Sequence, residues 1–184
     1  VKKINRLSQE ELSHITKKGG LLGVDGSNNR VGGAYPHFVE IYQALAKSTI
    51  HANEPIYKTD FYSPLCPENE NRDNLENPLE EDQSIRSKKL STIEVEVALE
   101  GVRRFKPYAV IMDGSLIRYD IECYDRWQEL REECEEKNII LIGVIKDIKT
   151  YIIGDLLVKN GLLSKRELFY DRELLYGLLE YGEI

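Results

Sequence analysis

The sequence predicts an α/β fold, and three observations carry that prediction. Three apolar runs, at 21–24, 109–112 and 139–145, are continuous rather than alternating, as in strands covered on both faces. Helical patterns separate the second run from the third, so a crossover joins two parallel strands and is expected to be right-handed. The first two runs also finish alike, in Asp25-Gly26-Ser27 and Asp113-Gly114-Ser115.

The repeated tripeptide is the centre of the functional reading. In open α/β sheets ligands bind beyond the carboxyl ends of the strands, where both aspartates are expected. If the two strands are parallel neighbours, their carboxylates converge and need either a shared proton or a cation. The glycine after each aspartate allows a sharp turn and the close approach of a ligand. One Asp-Gly-Ser alone is ordinary turn chemistry. Its repetition after two buried runs makes a shared divalent-metal site the central expectation.

Bulk properties narrow the class. At 184 residues the chain has the size of a single domain, 1–184, able to bury a core without staples. Hydrophobic residues at 41% and charged residues at 31% suit a soluble globular protein. No apolar run approaches the roughly 20 residues of a membrane span, and VKKINRLSQEEL lacks the apolar core of a signal peptide. A cytoplasmic location without a membrane partner is therefore expected. Cys66, Cys123 and Cys134 are too few and too scattered for a disulfide framework. The net charge of −7 argues against a generic nucleic-acid binder, so DNA contact would need a local basic patch, metal ions or a partner. A start at Val1 and a stop at Ile184, shortly after a helical pattern, suit a segment of something longer.

From the N-terminus, Ser8 and Glu11 have capping-box spacing ahead of Leu12 and Ile15, which predicts a helix over 7–18 ended by Lys17-Lys18-Gly19-Gly20. Asn28-Asn29-Arg30 predicts a turn after the first strand. Gly32-Gly33 belongs to no phosphate-loop motif and suits a hairpin. Over 38–46 the spacing of Phe38, Ile41, Tyr42 and Leu45 slightly favours a helix, although alternation also fits a strand. His37 beside Pro36 reads as a turn residue, with no zinc spacing to His14 or His51. Residues 63–88, with Pro64, Pro67 and Pro78 among Asn, Asp and Glu, predict a long mobile acidic loop.

The helix expected over 89–105 is the most informative. Leu90, Ile93, Val97, Ala98, Gly101, Val102 and Phe105 form one apolar stripe with Glu94 near its centre, while Glu96, Glu100, Arg103 and Arg104 form a solvated face. A carboxylate pointed at the core is costly unless paired, protonated or bound to a cation. Lys106-Pro107-Tyr108 then turns the chain into the Asp113 strand, so this helix can aim Glu94 at Asp25 and Asp113. A buried Glu94 salt-bridged to a base is the competing expectation. After Ser115 one long charged helix is predicted, with Ile121, Tyr124, Trp127, Leu130 and Cys134 on its apolar face. The third strand ends at Lys146-Asp147, on the same edge as Asp113, and the next helix places Lys149, Tyr151 and Asp155 near that edge. Ser164 to Glu167 gives a second capping box, and Asp171 opens a closing helix.

With GVDGS at 23–27, the Glu94 helix, VIMDGSL at 110–116 and IGVIKDIKTYII at 142–153, the chain resembles the NurA family of nucleases from about Leu21 onward. The resemblance implies a ribonuclease-H-like mixed sheet flanked by helices. It implies a Mn²⁺-dependent deoxyribonuclease, exo- and possibly endonucleolytic, that acts in DNA end resection and double-strand break repair. It also implies a homodimer working on a HerA-type hexameric ATPase. By motif position Asp25, Glu94 and Asp113 correspond to the family's metal ligands, with Glu96 as the substitute for Glu94 if the helix register shifts. NurA proteins continue into a Tyr-Pro and Ala-His segment that is not found here, which implies either a C-terminally incomplete domain or a short relative of the family.

Three carboxylates of this kind suit two Mn²⁺ or Mg²⁺ ions about 4 Å apart, as in two-metal phosphodiesterases. Lys146 is placed to meet a phosphate oxygen as a point charge, and Tyr151 to hydrogen-bond to the nucleic-acid backbone or stack on a terminal base. Ser27, Ser115, Arg118 and Lys149 are further candidates for DNA contact. Two other readings stand beside this one: an inactive docking module for a motor ATPase, and a nucleotide-binding domain of the actin and sugar-kinase type.

Overall fold

The computed structural model describes residues 3–66, 78–146, 150–163, 170–178, 180 and 182, with the backbone alone for 78–84. These fall into two compact units, Ser13–Val144 and Val1–Leu12 with Ile145–Ile184. Between residues 9 and 17 runs α1 (Gln9–Lys17). It opens with the expected capping box: the Ser8 backbone N–H donates to Glu11 at 2.7 Å, and the Glu11 N–H donates back to Ser8 Oγ at 3.2 Å.

A five-stranded mixed sheet forms the larger unit, in the order β3-β2-β1-β4-β5. β1 (Leu21–Gly32), β2 (Phe38–Ser48) and β3 (Ile56–Tyr62) make an antiparallel meander. β4 (Ala109–Asp113) and β5 (Ile140–Val144) run parallel to β1. The architecture is thus the α/β, ribonuclease-H-like mixed sheet flanked by helices.

Several local expectations give way to tertiary pairing. Residues 38–46 are strand, not helix: Phe38, Glu40, Tyr42, Ala44 and Ala46 alternate inward, because β1 offers a partner from Gly32↔Phe38 back to Leu22↔Ser48. The same pairing carries β1 straight through Asp25-Gly26-Ser27, so the predicted turn at 28–30 is extended strand. The hairpin turn lies instead at 33–37, closed by Gly33 N–H to His37 O at 2.7 Å.

α2 (Pro78–Phe105) begins well before the expected 89, so 78–88 is helix rather than loop, and 67–77 lie outside the described residues. Pro78 suits a first helical position, where its missing N–H costs nothing. Side chains from its first half tie it to the sheet, Lys89 to Asp60 at 2.6 Å and Arg86 to Glu40 at 3.3 Å. Ile93, Val97, Ala98 and Val102 bury its inner face. Gly101 sets the approach, since a Cβ there would stand 2.5 Å from Leu22 Cδ2 on β1.

The single helix expected after Ser115 is two, α3 (Leu116–Glu122) and α4 (Tyr124–Glu136), broken at Cys123 with φ −147° and ψ 51°. The break turns the apolar face. Tyr119, Trp127, Leu130 and Cys134 are buried, whereas Ile121 and Tyr124 are 74% and 57% exposed. Tyr119 and Trp127 stack with ring centroids 5.4 Å apart. β5 was expected to be covered on both faces. It is an edge strand, and its alternate residues Ile140, Ile142 and Val144 are exposed.

The smaller unit contains α5 (Ile152–Lys159) and α6 (Asp171–Leu175). Asp171 links them by accepting from Thr150 Oγ1 at 2.6 Å and from the N–H groups of Ile152 and Ile153 at 2.8 and 2.9 Å. Burial opposes its charge, but these hydrogen bonds prevail and hold its carboxyl below the usual range. The capping box expected at Ser164 lies outside the described residues. One is formed at Tyr170, whose N–H donates to Glu173 at 2.9 Å. No described helix is long and apolar enough to cross a membrane.

The helix–sheet contact at Gly101 is testable. Gly101→Val should lower stability by about 1–3 kcal/mol through overpacking against Leu22, read as a lower urea midpoint. An unchanged midpoint would contradict the packing.

Candidate active site

Strand register brings the two Asp-Gly-Ser segments together. β1 and β4 pair in parallel from Leu21↔Ala109 to Val24↔Met112, so Asp25 and Asp113 occupy the next positions on adjacent strands. Alternation turns Leu22, Val24 and Met112 into the core and puts Gly23, Asp25 and Ser27 on the other face, with Asp113 following the same sense. Asp25 is exposed and Asp113 half-buried.

Glu94 comes from the helix side. It is only 2% exposed and lies directly over Gly26, where a Cβ would stand 2.2 Å from its Oε1. The two glycines therefore have different tasks. Gly26 is mid-strand and opens a window in the sheet for the Glu94 carboxylate, not the sharp turn that was expected. Gly114 does turn the chain, with φ +104°, and its N–H donates to Val144 O at 2.8 Å. Gly143 on β5 lets that turn lie flat, since a Cβ there would stand 2.7 Å from Gly114 O.

The competing expectation for Glu94, an ion pair with a base, is also realised, and the base belongs to the same rim. Arg118 Nη2 on α3 donates to Glu94 Oε2, and the Tyr119 hydroxyl donates to the same oxygen at 3.0 Å. Burial pushes the Glu94 carboxyl up; Arg118 and Tyr119 pull it down, while Asp113 and Asp25 push it up again, leaving it at about 7. Glu94 thus lies within electrostatic reach of both Asp113 and Asp25.

Among the described residues no three His, Cys, Asp or Glu side chains are grouped so as to hold a metal ion. Glu94 faces Arg118 instead. The donor chemistry fits a hard divalent cation, because carboxylate oxygens suit Mg²⁺ or Mn²⁺ better than soft metals. An ion ligated through Glu94 Oε2 would compete with the guanidinium for that oxygen, because Oε1 faces Gly26.

The remaining candidates fall in several places. Ser27 is exposed on the Asp25 face, and Ser115 is the N-cap of α3, half-buried and without a side-chain cap bond. Lys146 is exposed just beyond β5 and belongs to the smaller unit, as does Tyr151, which stacks on Tyr170 at 4.9 Å. Lys149 lies outside the described residues. Glu96 pairs with Lys58 at 2.5 Å and Arg126 at 3.6 Å on the outer face, so Glu94 is the inward glutamate. Sequence reasoning missed Tyr119 and Glu122. The Tyr119, Cys123, Trp127 spacing was the available signal for a buried tyrosine. Beside Arg118 opens a cavity of about 340 Å³, lined by Asn28, Glu40, Tyr42, Arg86 and Glu122 among others.

A mixed sheet bearing two neighbouring strand aspartates, with a core-facing glutamate on the helix above, defines an α/β domain with acidic side chains where β1 and β4 pair. The chain belongs to the NurA family of nucleases: the NurA domain matches residues 19–183. A search of curated proteins returned no match. Among solved structures, the foamy viral protease-reverse transcriptase in complex with double-stranded DNA is similar at 8% identity, over 79% of this chain and 92% of that one, with a TM-score of 0.40. The native prototype foamy virus protease-reverse transcriptase is similar at 10% identity, over 85% of this chain and 22% of that one, with a TM-score of 0.36. Ciona intestinalis endonuclease V, bound to a 24mer DNA containing an inosine followed by a ribo-adenosine, is similar at 14% identity, over 77% and 56%, with a TM-score of 0.28.

The raised Glu94 carboxyl has a consequence for stability. A carboxyl that titrates near 4.5 unfolded and near 7 folded contributes stability below the lower value and loses it as pH rises through the upper one. Between pH 5 and 8, the metal-free wild type should lose up to about 3 kcal/mol relative to Glu94→Gln, read from melting curves in chelator. Curves that stay parallel across this range would contradict the assignment.

Proposed function

We propose that the chain is a metal-dependent DNA nuclease in which Asp25, Glu94 and Asp113 hold divalent ions, two of Mn²⁺ or Mg²⁺. The observation that supports this best is the β1–β4 register, which puts Asp25 and Asp113 one position past Val24↔Met112, with Glu94 entering over Gly26. When bound, such ions activate water and take up charge on the scissile phosphate and the leaving oxygen. The chain's own part is to fix three carboxylates on a strand, a strand end and a helix, which holds them more precisely than loops do. Arg118, freed from Glu94, would offer its terminal N–H groups to a phosphate oxygen, and Ser27 and Ser115 would flank the DNA backbone. Bound cations would also offset the background of −7 that repels DNA.

The wider role proposed is DNA end resection in double-strand break repair, as a homodimer with a HerA-type hexameric ATPase, in the cytoplasm. Lys146, Lys149 and Tyr151 are proposed as further DNA contacts. A second reading, a docking module without catalysis, is favoured by one observation: Glu94 is engaged by Arg118 rather than grouped with other acids.

Asp25→Asn and Asp113→Asn separate the two. Under the nuclease reading each should reduce Mn²⁺-dependent degradation of linear DNA by about a hundredfold or more and weaken Mn²⁺ binding, with circular dichroism unchanged. Wild-type protein that binds the ATPase yet degrades no DNA at any Mn²⁺ concentration would establish the docking reading instead.

A further inference from the structure

We propose that Arg118 is the internal counter-cation of Glu94 in the metal-free protein, exchanged for a divalent ion, and that Glu122 receives the guanidinium when the exchange occurs. This rests on the reading of Asp25, Glu94 and Asp113 as a cation site.

The first part follows from burial. Glu94 is sealed between α2 and β1, its carboxylate pressed against the Gly26 backbone, and an ionised group there requires a cation beside it. Arg118 supplies the charge, and its placement is specific. Its Nη2 donates to Glu94 Oε2 and lies 2.9 Å from the Tyr119 oxygen, while the guanidinium carbon sits 4.7 Å from the Tyr119 ring centroid. Oε1 is pressed against Gly26, so a divalent ion that meets Glu94 at Oε2 competes with Arg118 for that oxygen.

The second part follows from what Arg118 leaves unsatisfied. Its Nε is buried and donates no hydrogen bond, an unfavourable state for a charged group. Glu122 Oε2, one helical turn on, lies 4.0 Å from that Nε, beyond hydrogen-bond length and within reach of a small rotation. Glu122 is itself held in place by the Ser91 hydroxyl. The cavity of about 340 Å³ beside Arg118 gives the side chain room to move. One seat is therefore occupied at Glu94, and a second stands ready at Glu122.

Two cations that exclude each other are linked in opposite senses: removing the incumbent tightens the newcomer, and removing the incumbent's second seat weakens it. Calorimetric titration of the full chain with Mn²⁺ tests this on wild type, Arg118→Gln, Glu122→Gln and Asp113→Asn. Arg118→Gln should bind Mn²⁺ roughly tenfold more tightly than wild type, and Glu122→Gln several-fold more weakly. A merely structural arginine would produce neither shift. Should Arg118→Gln fail to fold, Glu122→Gln still decides, together with the Arg118 Nε–H resonance of the wild type, which should move on addition of Mg²⁺. Wild-type affinity in Glu122→Gln with a stationary resonance would overturn the exchange. If Asp113→Asn nevertheless weakens Mn²⁺ binding, the cation site itself survives. Absence of Mn²⁺ binding in every form would overturn both.

Discussion

A carboxylate buried against a sheet has to be neutralised, and the rim of this domain is arranged around that requirement. Glu94 is carried inward by the apolar stripe of α2, and the same stripe supplies Ile93, Val97 and Val102 to the core. Rotating the helix to free the carboxylate would expose several of these side chains, each contributing about 1.5–3 kcal/mol through burial. Glu94 is thus held in place by its neighbours' packing rather than by its own interactions. Gly26 gives it room, Asp25 and Asp113 raise its proton affinity, and Arg118 with Tyr119 balances it.

That balance connects structure to chemistry. Three acidic groups drawn from a mid-strand position, a strand end and a helix repel one another, so their proximity is favourable only when positive charge is present. In the structure the charge is a guanidinium from the helix that follows β4. In a working nuclease it would be divalent, which converts electrostatic stress in the protein into affinity for the ion. Asp25 is exposed and Asp113 half-buried, on the face of the sheet opposite α2.

Much of this was legible in the residues, for reasons that differ by element. Glu94 was readable as inward-facing because 100° per residue fixes it beside Val97 and Gly101 whatever else the chain does. Asp113 was readable because its strand does end in a turn. The continuation of β1 past Asp25 was not, since it depends on β2, and β2 itself looked helical until a pairing partner was supplied. The helix at 78–88 was obscured by its polar composition; its anchors, Arg86 to Glu40 and Lys89 to Asp60, are contacts with distant strands. Arg118 was readable only as a candidate for DNA contact, not as the partner of Glu94, and Tyr119 sat inside a run of charges that reads as solvated surface. Only the Gly114 turn over Gly143, and the break at Cys123, lay them against the sheet.

The central claim is that Asp25, Glu94 and Asp113 share one cation centre. Anomalous diffraction at the manganese edge from crystals soaked in Mn²⁺ tests it most directly. Manganese peaks within reach of all three carboxylates, with Arg118 withdrawn from Glu94, are the expected result. A peak elsewhere, or Glu94 still bonded to Arg118 at saturating Mn²⁺, would contradict it.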